Sequence, residues 1–313
     1  MNRRRSLVLL TAILGSSRTT SFAAGGKAGI TIKRPLMGTL FSITAHHPDT
    51  ALVEKAAAAA FAGAEAINAC ASDYIAGSEL LSLSKHPAGT AVPVSPMLFR
   101  LIRQARELAE KTDGAFDPTL GPLTKLWREA RRRKALPNPE TLADAKAACG
   151  WKQLILDQEK STATFSVPGM RLDLGGIAKG QAADAMLDVL KNHGVSRASV
   201  TAGGDVRVGD SPLGEGGWKI GVRTFDKQKD SAALTLSNAA VSTSGSLQQT
   251  VEIEGVRYAH IINPATGLGL TKEVAACVVS PTSALSDALA TACCILPRDE
   301  AGKLCQSLGA RLL

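Results

Sequence analysis

Residues 172–192 read LDLGGIAKGQAADAMLDVLKN. Leu172 and Leu174 alternate as in a strand, Gly175 and Gly176 break the run, and from Ile177 to Asn192 apolar residues recur at helical spacing. A glycine turn leading from a strand into a helix opens a nucleotide-binding βαβ unit when it carries GxGxxG or GxxxxGK[ST], and this one carries neither. The surrounding pattern decides the fold. N-terminal to it, 29–33 and 39–44 alternate as two strands split by Pro35-Leu36-Met37-Gly38, which predicts an opening hairpin or a bent strand. Helices are expected over 50–70 and 95–112, the second with Pro96 in its first turn and Gly114 past its end, then over 121–134, with a turn and helix start at 137–140. From Trp151 short strands dominate: 153–156, 162–167, around Val200, 218–222, 232–236, the pair 251–253 and 258–262, and 274–280 before a helix over 283–296. Strands and helices interleave without regular alternation, which predicts an α+β fold with mixed or antiparallel sheets and packed helices, not a doubly wound sheet.

The chain has 313 residues, 45% hydrophobic and 20% charged, enough for a buried core and incompatible with a fibrous or unstructured class. With 4% aromatic residues the interior must be mostly Ala, Val, Leu and Ile, so an aromatic in a loop stands out. Asn2 followed by the basic Arg3-Arg4-Arg5, the apolar stretch 7–14 and the small residues ending near Ala23 read as a cleaved signal peptide over 1–23, leaving an exported domain of 24–313. An uncleaved anchor or a disordered cytosolic tail is the competing reading, and against the anchor an eight-residue stretch is too short for a span. The leader holds Arg3, Arg4, Arg5 and Arg18, so the net charge of +8 falls to about +4 on cleavage. The run Arg131-Arg132-Arg133-Lys134 is a solvated helix end or a patch for anionic lipid or polymer, which would give peripheral membrane association. No nucleic-acid reader motif accompanies it, and no apolar run approaches a transmembrane span. The six cysteines lack metal-type CxxC pairs and read as buried free thiols more readily than as a disulfide framework.

Several segments carry polar groups suited to chemistry, each with a plain structural alternative. Asp173 to Gly180 could hold phosphate at a helix start, with Lys179 adding charge, or be a tight turn. Ala202-Gly203-Gly204-Asp205 could bring backbone close to a ligand or form a bulge. Asp287 and Thr291, four apart, share a helix face where a carboxylate and a hydroxyl could meet a hard cation; alternatively Asp287 caps the helix. His260, at a strand end before Asn263-Pro264-Ala265-Thr266-Gly267, could be a general base or a structural histidine. The segments 113–119 and 72–79 place polar groups beside Phe116 and Tyr74, suited to stacking a planar ring or to ordinary turns.

Taken in order, these segments resemble the ApbE family of FAD:protein FMN transferases. The matching residues are Met37-Gly38-Thr39, Tyr74 with Ser78-Glu79, 113–117 through Gly121-Pro122-Leu123 and Leu126-Trp127, 173–180, Gly203-Gly204-Asp205, Thr243-Ser244-Gly245, 260–267 and 287–291. The resemblance spans about residues 30–310. It implies an ApbE-like fold and an exported enzyme that cuts the pyrophosphate of FAD, joins FMN through a phosphoester to a Thr or Ser hydroxyl of an acceptor flavoprotein, and releases AMP. It also implies that Asp287, Thr291 and the carbonyl of Ala178 hold Mg²⁺, that His260 is the base, and that Lys179 stabilises charge. Met37, Tyr74, Ala115, Phe116, Asp117, Gly175, Gln181 and Ile262 would line the FAD site. The sequence departs from the family pattern at Asn263, Leu247 and Arg128-Glu129. Two other functions share these residues: an FAD pyrophosphatase releasing FMN and AMP to water, and a non-catalytic periplasmic protein that stores FAD.

Overall fold

The computed structural model describes residues 20–21, 29–222, 232–246 and 249–313. In chain order come β1 (Thr20–Ser21), β2 (Ile30–Leu36), β3 (Thr39–Ala45), α1 (Thr50–Ala71), α2 (Glu79–Leu83), β4 (Val92–Pro93), α3 (Pro96–Lys111), α4 (Gly121–Arg133) and α5 (Pro139–Ala147). These lead to β5 (Leu154–Asp157), β6 (Thr162–Phe165), α6 (Ala178–Asn192), β7 (Ala198–Ala202), β8 (Asp205–Val208), β9 (Trp218–Val222), β10 (Ala232–Leu236) and β11 (Ala240–Gly245). The chain ends with β12 (Val251–Ile253), β13 (Val256–Tyr258), β14 (Ala275–Ser280), α7 (Ser283–Ile295), α8 (Arg298–Ser307) and β15 (Arg311–Leu312).

An eight-stranded sheet in the order β1-β2-β3-β7-β8-β11-β14-β15 forms the frame, and each neighbouring pair runs antiparallel. The fold is α+β, as the irregular alternation of elements predicts. Period-two alternation assigns the faces of the sheet. On β11, Val241 packs with Cys277 of β14 and Val222 of β9, under the β9–β10 ribbon. The intervening Ser242 and Ser244 face α7, where their hydroxyls meet Ser286 at 2.8 Å and Thr291 at 3.4 Å. Helix α6 packs beside α7, with α1 beyond it. Asp49 accepts from the Leu52 N–H to start α1, whose buried Val53, Ala56, Ala57, Ala60, Phe61 and Ala64 follow the helical repeat. Ser95 does the same for α3 ahead of Pro96.

Several expectations need correction. Leu172 and Leu174 belong to no strand; the segment touches Leu120 through one isolated bridge at Arg171. The Asp173 N–H donates to the Pro118 carbonyl, which diverts the chain alongside 118–121 and away from the sheet. The strand expected over 258–262 stops at Tyr258, because Ala259 and Ile261 bond instead to Leu270 across a short loop. Helices α2 and α8 and strands β4, β8, β11 and β15 are additional to the elements read from sequence. The expected leader, 1–23, lies outside the described residues except Thr20 and Ser21, which pair with Thr31 and Ile30. Leu247 also lies outside them. All six cysteines are free thiols, four of them buried. Among the described residues no helix is long and apolar enough to cross a membrane.

Candidate active site

Among the described residues, neither Ile177 nor Thr282 caps its own helix with a side chain. Each helix supplies the other's cap. Asp184 on α6 accepts from the N–H groups of Ser283 and Ala284 at 2.8 Å each, and Asp287 on α7 accepts from the Gly180 N–H at 3.2 Å. The exchange demands close approach, since a Cβ on Gly180 would stand 2.4 Å from the Ser283 carbonyl oxygen. Asp287 therefore lies a turn inside its own helix and caps α6; it does not cap α7. Arg207 of β8 donates to Asp184 at 2.9 Å and ties the corner to the sheet.

Lys179 sits at the centre of this corner. Its Nζ is 3.2 Å from Asp287 Oδ2 and 3.2 Å from Asp205 Oδ2, and both carboxylates are buried. Burial, reinforced by the charge of Asp287, pushes the Asp205 carboxyl up to about 7 against the opposing pull of Lys179. Burial works against the Lys179 charge, yet Asp287 and Asp205 together hold its ammonium above the ordinary lysine range. A further cation in this poorly solvated corner would favour the ionised form of Asp205. Thr291 lies one turn beyond Asp287 on the same face. The Asp287 carboxylate and the Thr291 hydroxyl are oxygen donors of the kind a hard divalent cation takes, and Ala178 opens α6 beside Lys179. Asp205 Oδ2, buried and without a well-aligned hydrogen bond among the described residues, has the Lys179 ammonium as its charge partner. The residues present thus fit such an ion, although among the described residues no three His, Cys, Asp or Glu side chains converge on one point.

Glycines let three segments close around this corner. A Cβ on Gly176 would stand 3.3 Å from the Phe116 ring and 3.4 Å from Thr291 Oγ1, so the glycine turn lies between the 113–117 loop and α7. Gly203, at φ +67°, would bring a Cβ within 3.0 Å of Thr39 Oγ1, so the β7–β8 turn abuts the Met37-Gly38 hairpin turn. Lys179, Asp287, Thr291 and Phe116 are thereby brought together, with Ala178, Ala115 and Asp117 adjoining them in sequence. Asp117 is occupied by its own turn: Oδ1 accepts from the N–H and hydroxyl of Thr119, and Oδ2 from the Trp151 N–H. Burial raises its carboxyl even so.

The remaining candidates lie around the rim or elsewhere. Gly175 donates its N–H to Asp173 Oδ1 at 2.7 Å. Tyr74 is 75% exposed and stacks on the Arg128 guanidinium, 4.1 Å from the ring centroid. Met37 lines an open depression of about 520 Å³ with Asn68 of α1. His260 is half-buried between Ala259 and Ile261, both pinned by Leu270, while Ala259 also accepts from Trp127 Nε1. Ile262 is buried beside Leu123 and Trp127. Gln181 turns away from Lys179, and its amide donates to the Leu101 carbonyl and Gln104 of α3. The sequence reading assigned no role to Asp73, Arg128, Asp184 or Asp205. Asp205, beside two glycines, and Asp73, in the 72–79 segment, carry a local signal; Arg128 and Asp184 act through partners distant in sequence.

The family model described as the ApbE family matches residues 37–312. The chain belongs to the ApbE family. It is 35% identical over 237 residues to a FAD:protein FMN transferase of Treponema pallidum, covering 70% of this chain and 65% of that protein, just under two thirds of its length. It is 29% identical over 306 residues to a FAD:protein FMN transferase of Haemophilus influenzae, covering 94% of this chain and 88% of that protein. Among solved structures, the ApbE protein of Thermotoga maritima superposes with a TM-score of 0.81 at 28% identity, over 95% of this chain and 94% of that one. The flavin transferase ApbE of Vibrio cholerae gives 0.79 at 25% identity, over 95% and 93%.

Proposed function

We propose that this chain is a FAD:protein FMN transferase that acts on an exported acceptor flavoprotein. The observation that carries the reading is the corner where Lys179, Asp287 and Asp205 meet beside Thr291 and the Gly176–Phe116 contact. Storage of intact FAD would not call for a buried lysine held between two carboxylates, whereas phosphoryl transfer draws on positioned cationic charge. The family relatives named as FAD:protein FMN transferases support the same activity.

In the proposed reaction the acceptor Thr or Ser oxygen forms a bond to the FMN-side phosphorus. The bond from that phosphorus to the bridging oxygen breaks, and AMP leaves with that oxygen. His260 takes the hydroxyl proton, in keeping with the family resemblance. Asp287, Thr291 and the Ala178 carbonyl would hold Mg²⁺, which when bound neutralises charge on the pyrophosphate. Lys179, fixed by Asp205, adds positive charge at the same place. Tyr74 offers exposed aromatic surface for a planar ring of FAD, and the buried Phe116 backs the glycine turn. The basic leader over 1–23 supports export, to the periplasm.

The test combines purified protein, FAD, Mg²⁺ and a Thr-containing acceptor domain from an exported flavoprotein, read by intact-mass spectrometry. The expected result is an acceptor heavier by one FMN, with AMP released, and no gain with the Asp287→Ala variant. Free FMN and AMP beside an unmodified acceptor would favour a pyrophosphatase, and FAD bound intact would favour storage.

A further inference from the structure

Tyr74 is an exposed aromatic in a chain with few of them, and something must hold its ring in place. Its loop, between α1 and α2, offers little apolar support. The packing partner is Arg128 of α4, whose guanidinium covers one face of the ring at 4.1 Å from the centroid. Arg128 is in turn fixed along its edge. Nη1 bonds Asp73 Oδ2 at 2.5 Å, and Nη2 bonds Asp173 Oδ2 at 2.9 Å. Both carboxylates are largely buried, 6% and 11% exposed, so these pairs are less screened than surface ones. Arg171 donates to the Asp73 carbonyl at 3.0 Å, and the other oxygen of Asp173 accepts from the Gly175 N–H. Two arginines balance two aspartates, so the cluster is close to neutral overall.

One planar cation thus joins three segments: the Tyr74 loop, α4 and the glycine turn beside Lys179. A planar fork suits this task, because it can bond two carboxylates in its plane while a ring lies flat on its face; a lysine ammonium cannot do both. The covered face of Tyr74 is unavailable to a ligand, and the opposite face stays open.

The geometry points to Arg128 as a positioning residue for substrate binding: it holds Tyr74 so that the open face of the ring receives a planar heteroaromatic ring of FAD. The inference rests on the proposed function for the identity of the ligand. Asp73 and Asp173 fix Arg128, and Arg128 acts on FAD through Tyr74 alone.

A double-mutant cycle on FAD affinity tests this without any turnover. Dissociation constants for FAD are measured by equilibrium dialysis for the wild type, Arg128→Met, Tyr74→Ala and the double variant, with thermal unfolding to confirm that each folds. Arg128→Met is expected to weaken FAD binding about threefold to tenfold, and to have no further effect in the Tyr74→Ala background. A general loss of structure would instead weaken binding equally in both backgrounds, which would overturn the inference, as would wild-type affinity in Arg128→Met. Should that variant fail to fold, Arg128→Lys enters the same cycle with the same non-additivity expected. A wild-type protein that binds no FAD would defeat the proposed function and this inference with it. Wild-type binding that is indifferent to Arg128 would defeat the inference alone.

Discussion

Two helical glycines make opposite demands on this chain. Gly180 sits where α6 meets the first turn of α7, and any Cβ there runs into the Ser283 backbone at 2.4 Å. Gly302, inside α8, faces open space. Gly180→Ala should therefore destabilise the protein by about 1–3 kcal/mol, the usual cost of forcing a packed contact apart, and should displace Lys179 from Asp287. Gly302→Ala should stabilise it by about 0.5–1 kcal/mol, because it removes unfolded-state freedom and meets no obstacle. Urea unfolding of the two variants beside the wild type checks both signs; equal stability in Gly180→Ala would mean the corner is looser than its contacts suggest. At this scale the sequence was partly legible. The spacing of Asp287 and Thr291 placed them on one helix face, but it could not separate a helix cap from a site residue, because that depends on where α7 begins. The partnership of Arg128 with Asp73 and Asp173 spans 55 and 45 residues, so no local pattern carries it.

Helices α6 and α7 start without local caps and depend on each other, which makes their first turns a cooperative unit. Asp184→Ala removes the acceptor for two backbone N–H groups and also strips Arg207 of its carboxylate. The expected loss is about 1–2 kcal/mol for the cap alone, with a further penalty for the arginine left behind. Hydrogen exchange should locate the effect, with protection falling at Ser283 and Ala284 before it falls in α1; uniform loss across the molecule would argue against a local unit. The same dependence explains which elements were legible. Helices α1 and α3 carry their own start signals at Asp49, Ser95 and Pro96, and were expected nearly as they occur. Strand β11 was missed because its alternate residues are Ser242 and Ser244, whose inward hydroxyls face Ser286 and Thr291 where an apolar pattern would have Val or Ile. Helix α8 was missed because Gly302 and a charged first turn weaken its apolar repeat.

Across the whole molecule, the candidate site lies where the turns of an antiparallel sheet meet the N-terminal turns of two helices that pack on it. The Met37-Gly38 turn, the Gly203-Gly204 turn and the Gly245 end of β11 share one end of the sheet, and Thr291 of α7 reaches Ser244 there. Such a site draws on segments from both halves of the chain, so a ligand that bridges them should tighten the whole fold. If FAD and a divalent cation occupy it together, each should favour the other, because pyrophosphate charge and cation share the surroundings of Asp287 and Lys179. Thermal unfolding should then rise more with FAD and Mg²⁺ together than the sum of the increments from each alone. Saturation at a hundredfold excess over the dissociation constant corresponds to about 2.7 kcal/mol of added stability. Asp287→Ala should keep the increment from FAD alone and lose the extra share that needs Mg²⁺, since the aromatic and loop contacts to FAD do not pass through that carboxylate. Strictly additive increments in the wild type would separate the two ligands and place the cation away from the pyrophosphate, which would remove the ground for assigning Asp287 and Thr291 to it.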